Sequence, residues 1–545
     1  MNQGTDASAL GLRLLVFAIL ALVSAVLPAA TGTARVTILQ TTDLHHHARG
    51  AGPVSGAAPA LGGYPRIAAY VARVRAECGH PVLLVDSGDW SMGTLYDLTL
   101  GRRPLALRFA DALGYDCVTL GNHEFDDGPA GLARILRAGK PRTPVLASNL
   151  ELDGDPDLAP LVGPGKAIRG TLVKTLANGV RVGFLGLMGR DAAADTPAAE
   201  TVRFADYGRD HAGIQALVDQ LRGQGCRLVL ALDHAGTDAA GTEGEDVDLA
   251  RNVTGIDVIA SGHMHNPLDS ARTVANGAWN TLIICAGAYG TNVSRLDLAF
   301  PPGAGGPRLE ASANPAMDGP AMDPGWGRIL AGTDLELNRA LAPVFTHVAR
   351  FPDYLPDDPD RGLYHPVAFC AQDLPGNGRD SLPAPNGLGD LCADALRAVA
   401  NDLVAGDGAD PTPFTVAALA TGELRGTLVG GAAVTFADLY GLLPLGLSPD
   451  PSQAGSTGEP LVSAYLDAGG LRALCAMQLL AQTGLADADD YLNLSGLSYG
   501  LKPAETASLF ASACAATALR VSRQRAAEGS APAGRALAAL ARLGS

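Results

Sequence analysis

Between residues 36 and 300, short aliphatic and β-branched runs alternate with stretches of helical spacing, which narrows the possible folds more than any other feature of the chain. Runs at 36–40, 82–85, 117–120, 145–147, 180–187, 228–232, 257–260 and 282–286 predict strands. Segments 67–77, 105–113 and 214–222 carry apolar residues at helical spacing and predict helices between them. The layout is α/β.

Residues 301–324 are rich in proline, glycine and alanine, which breaks the pattern and predicts a linker. A helical stretch follows over 327–348. A second unit then begins, with a helix over 388–399 and short strands at 414–418 and 491–494, so the domain boundary is expected between 325 and 360. The alanine-rich stretch 529–545 suggests no role, and no internal repeat is evident.

The predicted strands end on one kind of residue. The first runs into Asp43-Leu44-His45, the second into Asp86-Ser87-Gly88-Asp89, and the third into Gly121-Asn122-His123-Glu124, with Asp126 close behind. Later strands end at Asp233-His234 and Gly262-His263-Met264-His265. In open α/β sheets sites form at the carboxyl ends of strands, so side chains far apart in sequence can converge there. Each fragment alone also fits an ordinary turn or helix cap; five in one sheet pattern point to a metal centre. Mixed nitrogen and oxygen donors suit Zn, Mn, Fe or Co rather than an all-oxygen calcium site. Gly88, Gly121 and Gly262 allow tight turns that bring the backbone close to an ion.

Neighbouring polar residues have their own readings. Extended backbone turns alternate residues to opposite sides, which lets His47 approach the centre and turns His46 away. Asp86 is expected to bond backbone amides at a strand end. Asp233 fits either a partner that orients a ligand or a surface turn.

The formal charge of −16 over 545 residues excludes a long nucleic-acid polymer as partner, because binding its backbone needs a basic surface. At the start, Arg13 precedes the apolar run Leu14 to Leu27 and the small-residue stretch Pro28-Ala29-Ala30-Thr31-Gly32-Thr33-Ala34. This reads as a secretory leader over residues 1–34, cleaved near Ala30 or Ala34, and hence a periplasmic or secreted protein with no stable membrane span once the leader is gone. The alternative is an uncleaved N-terminal membrane anchor. The eight cysteines form no C-x-x-C pair. Cys117, Cys226 and Cys285 adjoin apolar runs and read as buried, while Cys370 and Cys392 flank a loop-rich segment and suggest a bridge.

Taken in order, Asp-x-His, Gly-Asp, Gly-Asn-His-Glu and Gly-His-x-His resemble the calcineurin-like metallophosphoesterases over residues 35–300. More narrowly they resemble the branch of 5′-nucleotidases, UDP-sugar hydrolases and 2′,3′-cyclic phosphodiesterases. The resemblance implies a two-sheet α/β/β/α sandwich over 35–325, a helix-bearing linker over 326–355 and a smaller, divergent α/β substrate-binding domain over 356–545. It implies two divalent ions (Mn, Zn, Co or Fe). One is held by Asp43, His45 and His265, the other by Asn122, His234 and His263, with Asp89 bridging. His123 matches the catalytic histidine, and Asp126 the carboxylate that orients it. The implied activity is hydrolysis of phosphomonoesters or phosphoanhydrides, with small phosphorylated molecules, nucleotides or their conjugates, as substrates. Sulfur-oxidising thiohydrolases share the superfamily but look different at the third motif, which is intact here. A non-catalytic binder of phosphorylated ligands is the other alternative, and it sits poorly with a complete ligand set.

In the second half, 386–396, 414–425 and 434–446 resemble, more loosely, the C-terminal motifs of the same family. Arg425 matches the motif arginine that contacts substrate, a role suited to a guanidinium fork. Two features depart from the pattern. Leu445 stands where the family has a base-stacking phenylalanine, and the Gly-Gly-Asp-Gly-aromatic motif of the second stacking ring is absent. Tyr491 and Tyr499 are the nearby aromatics that could substitute, although strand tyrosines are more often core.

Overall fold

The computed structural model describes residues 32–52, 61–196, 201–303, 306–376, 387–407, 413–447, 462–482 and 491–497. Residues 1–31 of the expected leader, Tyr499 and the alanine-rich stretch 529–545 lie outside them.

Fifteen strands form the N-terminal part: β1 (Ala34–Thr41), β2 (Val82–Asp86), β3 (Cys117–Thr119), β4 (Val145–Leu146), β5 (Leu150–Leu152), β6 (Ile168–Arg169), β7 (Thr171–Thr175), β8 (Arg181–Met188), β9 (Val202–Phe204), β10 (Leu228–His234), β11 (Val258–Ser261), β12 (Arg272–Asn276), β13 (Trp279–Ile284), β14 (Ser294–Phe300) and β15 (Arg308–Ala313). Seven of them make one sheet in the order β15-β14-β1-β2-β3-β4-β6, and six a second in the order β12-β13-β11-β10-β8-β7. The centre of each sheet is parallel, β1 to β2 to β3 in one and β8 to β10 to β11 in the other. Parallel strands are buried on both faces, which is why these segments read as nearly unbroken aliphatic runs.

Three apolar layers result. Val36, Ile38, Leu83 and Val85 of the first sheet pack against Phe184, Leu230, Leu232 and Val258 of the second. The other face of the first sheet is covered by helices Tyr64–Glu77 and Leu105–Leu113, through Ile67, Val71 and Phe109. The other face of the second is covered by helices His211–Gly223 and Glu245–Asn252, through Val218, Leu221 and Val247. This is the expected α/β/β/α sandwich.

Two boundaries differ from the sequence expectation. The stretch 301–324 is not wholly a linker: β15 runs within it and pairs antiparallel with β14 as the edge strand of the first sheet. Its side chains are mostly exposed, so it lacks the apolar run that marks an interior strand. The helix expected over 327–348 spans Pro324–Ala340, starts at the Asp323 cap and is followed by a wider turn over Val344–Val348. It packs on the sandwich, with the Trp326 ring 4.9 Å from Phe109 and 5.8 Å from Tyr64.

The C-terminal residues build a lobe of two-stranded pieces: β16 (Pro366–Phe369) with β20 (Ala433–Thr435), β17 (Leu374–Pro375) with β19 (Thr427–Leu428), and β18 (Ala417–Ala420) with β21 (Leu492–Ser495). Helix Gly387–Asp407 packs on the last pair and runs longer than expected. Cys370 and Cys392 are both free thiols, which corrects the expected bridge, and the Cys370 Sγ donates to the Gln372 carbonyl at 2.9 Å. Cys117, Cys226 and Cys285 are buried, as expected of small apolar residues. Among the described residues, no helix is long and apolar enough to cross a membrane.

Candidate active site

The carboxyl ends of β1, β2 and β3 from one sheet meet those of β10 and β11 from the other. Donor atoms of Asp43, His45 and His265 lie within 4.8 Å of one another, and so do those of Asp89, His234 and His263. Two further groups satisfy the same distance among the described residues: His45, Asp89 and His123, which overlaps the first two, and Asp191, Asp195 and His263. Asn122 joins on the β10 side, its Oδ1 3.2 Å from His234 Nε2. Asp89 Oδ2 lies between the groups, 3.1 Å from His234 Nε2 and 3.7 Å from His45 Nε2.

The tautomers follow from what the far ring nitrogens touch. His45 Nδ1 donates to the Met92 carbonyl at 2.9 Å, and His234 Nδ1 donates to the Ser87 carbonyl at 2.8 Å. A carbonyl only accepts, so in the neutral ring each Nε2 presents a lone pair to the centre. There His45 Nε2 faces His265 Nε2 at 3.0 Å, and His234 Nε2 faces two oxygens, Asn122 Oδ1 and Asp89 Oδ2. Lone pairs converging on lone pairs repel unless a proton or a cation sits among them. The donor set fits divalent metal on that ground, independent of any sequence motif.

The charge balance of the side chains points the same way. Burial opposes a charge on His234, yet Asp89 and Asp43 carry its imidazole up to about 10, so these carboxylates favour positive charge at this point. Burial works against Asp89 too, but His234, His123 and His45 hold its carboxylate well below the usual range. His45 is pushed down by burial, with His265 and His123 adding to the effect.

The backbone here is held in unusual conformations. Of the ten non-glycine residues with positive φ among those described, eight are Asp43, His45, His46, Asp89, Met92, His263, His265 and Tyr289. Such backbone costs about 1–3 kcal/mol per residue and persists only where the surroundings over-determine it. They do so here: Asp43 N donates to the Gly88 carbonyl, His45 N to the Asp89 carbonyl, and His263 N to the Asp43 carboxylate. The three glycines singled out from sequence stand at close approaches. A Cβ on Gly88 would meet Gly121 N at 2.7 Å, one on Gly262 would meet Thr42 Oγ1 at 2.5 Å, and one on Gly121 would collide with Asp89.

His123 stands beside the cluster on the short turn Asn122–Phe125. Its Nδ1 is 3.0 Å from Asp126 Oδ1, and its Nε2 is 3.4 Å from Arg425 Nη2. Arg425 belongs to the C-terminal lobe, where its backbone N donates to the Leu442 carbonyl. The residues matched to catalysis and to substrate contact therefore meet across the two halves of the chain.

Other expectations divide. Asp86 accepts from Gly88 N and Thr41 Oγ1, the backbone-bonding role read for it, and burial pushes its carboxyl up to about 7. Asp233 is not on a surface turn: it is fully buried and accepts from Tyr207 Oη at 2.9 Å. His46 does face away, bonded to Asp97 at 2.8 Å, and His47 lines the cavity beside the site. The reason differs from the one expected, because His45 and His46 form a left-handed turn rather than extended chain. Tyr491 is 2% exposed, hence core.

Sequence reasoning quoted Glu124 within its motif and gave it no role. Its buried carboxylate accepts from Gly121 N at 2.7 Å, Asp89 N and Ser91 N at 3.0 Å and Ser91 Oγ at 2.8 Å. It clamps the two loops that carry Asp89 and Asn122. The signal was an acidic residue three positions after Gly121, the spacing of a capping carboxylate. Asp97 clamps the next loop by accepting from Met92, Gly93 and Thr94 amides, which fixes the carbonyl that orients His45.

The site is thus a two-sheet α/β sandwich with a carboxylate, Asp89, lying between two nitrogen-oxygen donor groups. Residues 36–267 match the model of the Calcineurin-like phosphoesterase family. A curated relative, the trifunctional nucleotide phosphoesterase protein YfkN of Bacillus subtilis, is 27% identical over 296 residues, which cover 50% of this chain and 18% of the relative. The chain thus spans well under half the length of that relative. Two solved structures share the fold across both halves. A 5′-nucleotidase precursor from Thermus thermophilus has a TM-score of 0.61 and 24% identity, covering 85% of this chain and 82% of that one. The sulfate thiohydrolase SoxB of Thermus thermophilus has a TM-score of 0.58 and 19% identity, with the same coverages.

Proposed function

We propose that the protein is an exported, two-metal phosphohydrolase that cleaves phosphomonoesters or phosphoanhydrides, with nucleotides or nucleotide conjugates as the leading substrates. The observation that carries this reading is the convergence of imidazole nitrogens and carboxylates into two groups with Asp89 lying between them and His123 and Asp126 beside them. Asp43, His45 and His265 would hold one ion and Asn122, His234 and His263 the other. The nitrogen-rich set favours Mn, Zn, Co or Fe. When bound, two such ions clamp phosphoryl oxygens and lower the pKa of a coordinated water to near neutrality.

The chain's own groups do the rest. Asp126 fixes the His123 ring through Nδ1, leaving Nε2 aimed toward the space that Arg425 also borders. Protonated at Nε2, His123 stabilises charge that builds on the transferred phosphoryl group or gives its proton to the leaving oxygen. The Arg425 guanidinium holds the remaining phosphoryl oxygens by directed hydrogen bonds. The attack needs no covalent phosphoenzyme.

Domain limits at 35–325 and 356–545, with a helical linker between, follow from the same reading. For export, cleavage near Ala30 leaves the first strand whole, whereas a cut after Ala34 removes a residue that pairs with Phe300. A thiohydrolase remains the competing reading, because the fold is shared almost equally with a thiohydrolase. An assay of the metal-loaded chain against nucleoside monophosphates, p-nitrophenyl phosphate and a thiosulfonate substrate separates them. Turnover of the sulfur substrate alone would overturn the phosphohydrolase reading.

A further inference from the structure

A cavity of about 290 Å³ opens beside the metal ligands, between the sandwich and the C-terminal lobe. That is the small end of the range for ligand pockets, roughly 300–1,000 Å³. One wall comes from His45, His47 and Tyr289 of the sandwich and the other from the lobe, with Arg425 at the metal end and Gly426 to Val429 beyond it. Neither Leu445, which stands at the family's stacking position, nor the buried Tyr491 is among the described residues lining it.

Tyr96 and Tyr364 also line the cavity, but the aromatic ring beside the metal-ligand candidates is that of Tyr289, from the catalytic domain. The Tyr289 ring is 4.5 Å from that of His47, and 5.6 and 5.3 Å from those of His45 and His265. Tyr289 has a φ of 60°, strained for a residue of its size, and its amide is pinned to the Asp43 carbonyl at 2.7 Å. A costly backbone conformation therefore sets an aromatic face between two donors of the first metal group and the cavity.

We propose that Tyr289, flanked by His47, is the platform on which the leaving group of the substrate stacks, replacing the aromatic pair missing from the C-terminal lobe. The subsite takes a compact, flat group such as a single nucleobase or a phenyl ring. It disfavours leaving groups without a planar face. The inference rests on the phosphohydrolase reading for the position of the phosphate, and on the cavity alone for the stacking.

The test compares kcat/KM for AMP with kcat/KM for glycerol 2-phosphate, together with calorimetric binding of adenosine, which carries no phosphate. Tyr289→Leu should lower the AMP-to-glycerol phosphate ratio by about ten- to a hundred-fold and remove adenosine binding, the effect of losing one stacking face. Tyr289→Phe should restore both, which separates stacking from a role of the hydroxyl, and metal content and melting temperature show that each variant is folded. Leu445→Ala should leave the ratio unchanged. A ratio that collapses in Leu445→Ala but survives Tyr289→Leu returns recognition to the lobe and overturns the proposal, as does a wild-type protein that neither binds adenosine nor prefers AMP. A protein that binds adenosine through Tyr289 yet cleaves no ester keeps the subsite and removes the hydrolase reading.

Discussion

In the N-terminal sandwich each donor hangs on the end of a strand locked in a sheet of six or seven, whereas Arg425 hangs on a short turn in a lobe whose described sheets have two strands each. Most of the candidate ligand side chains are enclosed: Asp43, Asp89, His234 and His263 are at most 1% exposed. The lobe leaves Phe369, Leu391, Val399, Leu403, Val462 and Tyr465 at least half exposed among its described residues, around a small core of Leu388, Leu419, Leu424 and Val434. Two-stranded sheets are marginal on their own and depend on packing against a helix, here Gly387–Asp407. On the proposed reading, the contrast gives the two halves different work. Chemistry needs atoms held to a fraction of an ångström, so it sits where buried sheets remove freedom; substrate contact tolerates a surface that adjusts.

If that division is right, removing metal should have the largest effect. Exhaustive chelation should abolish hydrolysis, Mn²⁺, Co²⁺ or Zn²⁺ should restore it, and elemental analysis should find about two ions per chain. Asp89→Ala should lose both ions, since its carboxylate lies between the groups. One ion per chain, or full activity after chelation, breaks the two-metal assignment.

Next in size is His123→Ala, expected to lower kcat by about 10²–10⁴ with metal content nearly unchanged. Because His123 also lies within reach of His45 and Asp89, metal loss equal to that of Asp89→Ala would make it a ligand instead. Arg425→Ala probes the other half. It should reduce kcat/KM by about ten- to a hundred-fold, the range for hydrogen bonds to a charged group, at full metal content. Loss of metal in that variant would mean that the lobe helps build the centre, against the proposed division.

Glu124→Ala sharpens the comparison from inside the sandwich. It leaves the amides of Gly121, Asp89 and Ser91 without their shared acceptor, and metal affinity should fall about 10–100-fold, as for other residues that orient ligands. Unchanged affinity, read by chelator competition, would show that the strand ends hold Asp89 and Asn122 without the clamp. The smallest effect is expected from Leu445→Phe. Restoring the family's aromatic should leave AMP preference within assay error, because Leu445 does not line the cavity. A gain in preference would move the stacking site back into the lobe.

The α/β class, the alternation of strands and helices and the donor residues at five strand ends were legible in the chain, because each depends on local residue type and spacing. The ten strands read from sequence, eight over 36–286 and two in the second half, all exist, with ends displaced by a few residues. Strand β15 escaped because an edge strand with exposed side chains has no apolar run to announce it. The bridge between Cys370 and Cys392 failed because spacing in sequence says nothing of where a thiol points, and one of these donates to a nearby carbonyl.

What tertiary structure alone decided is which distant groups share a space. The sequence determined that Asp43, Asp89, Asn122, His234 and His263 would terminate strands, since hydrophobic runs set where strands stop. It did not determine that two sheets would stack with those ends on one side, nor that Ser87 and Met92 carbonyls would choose the tautomers of His234 and His45. It could not reveal that Glu124 joins two loops or that Tyr289 reaches the cavity, because both depend on backbone turned into left-handed conformations by contacts between segments far apart in the chain. Local propensity opposes such conformations, and only the packed whole supplies the hydrogen bonds that hold them.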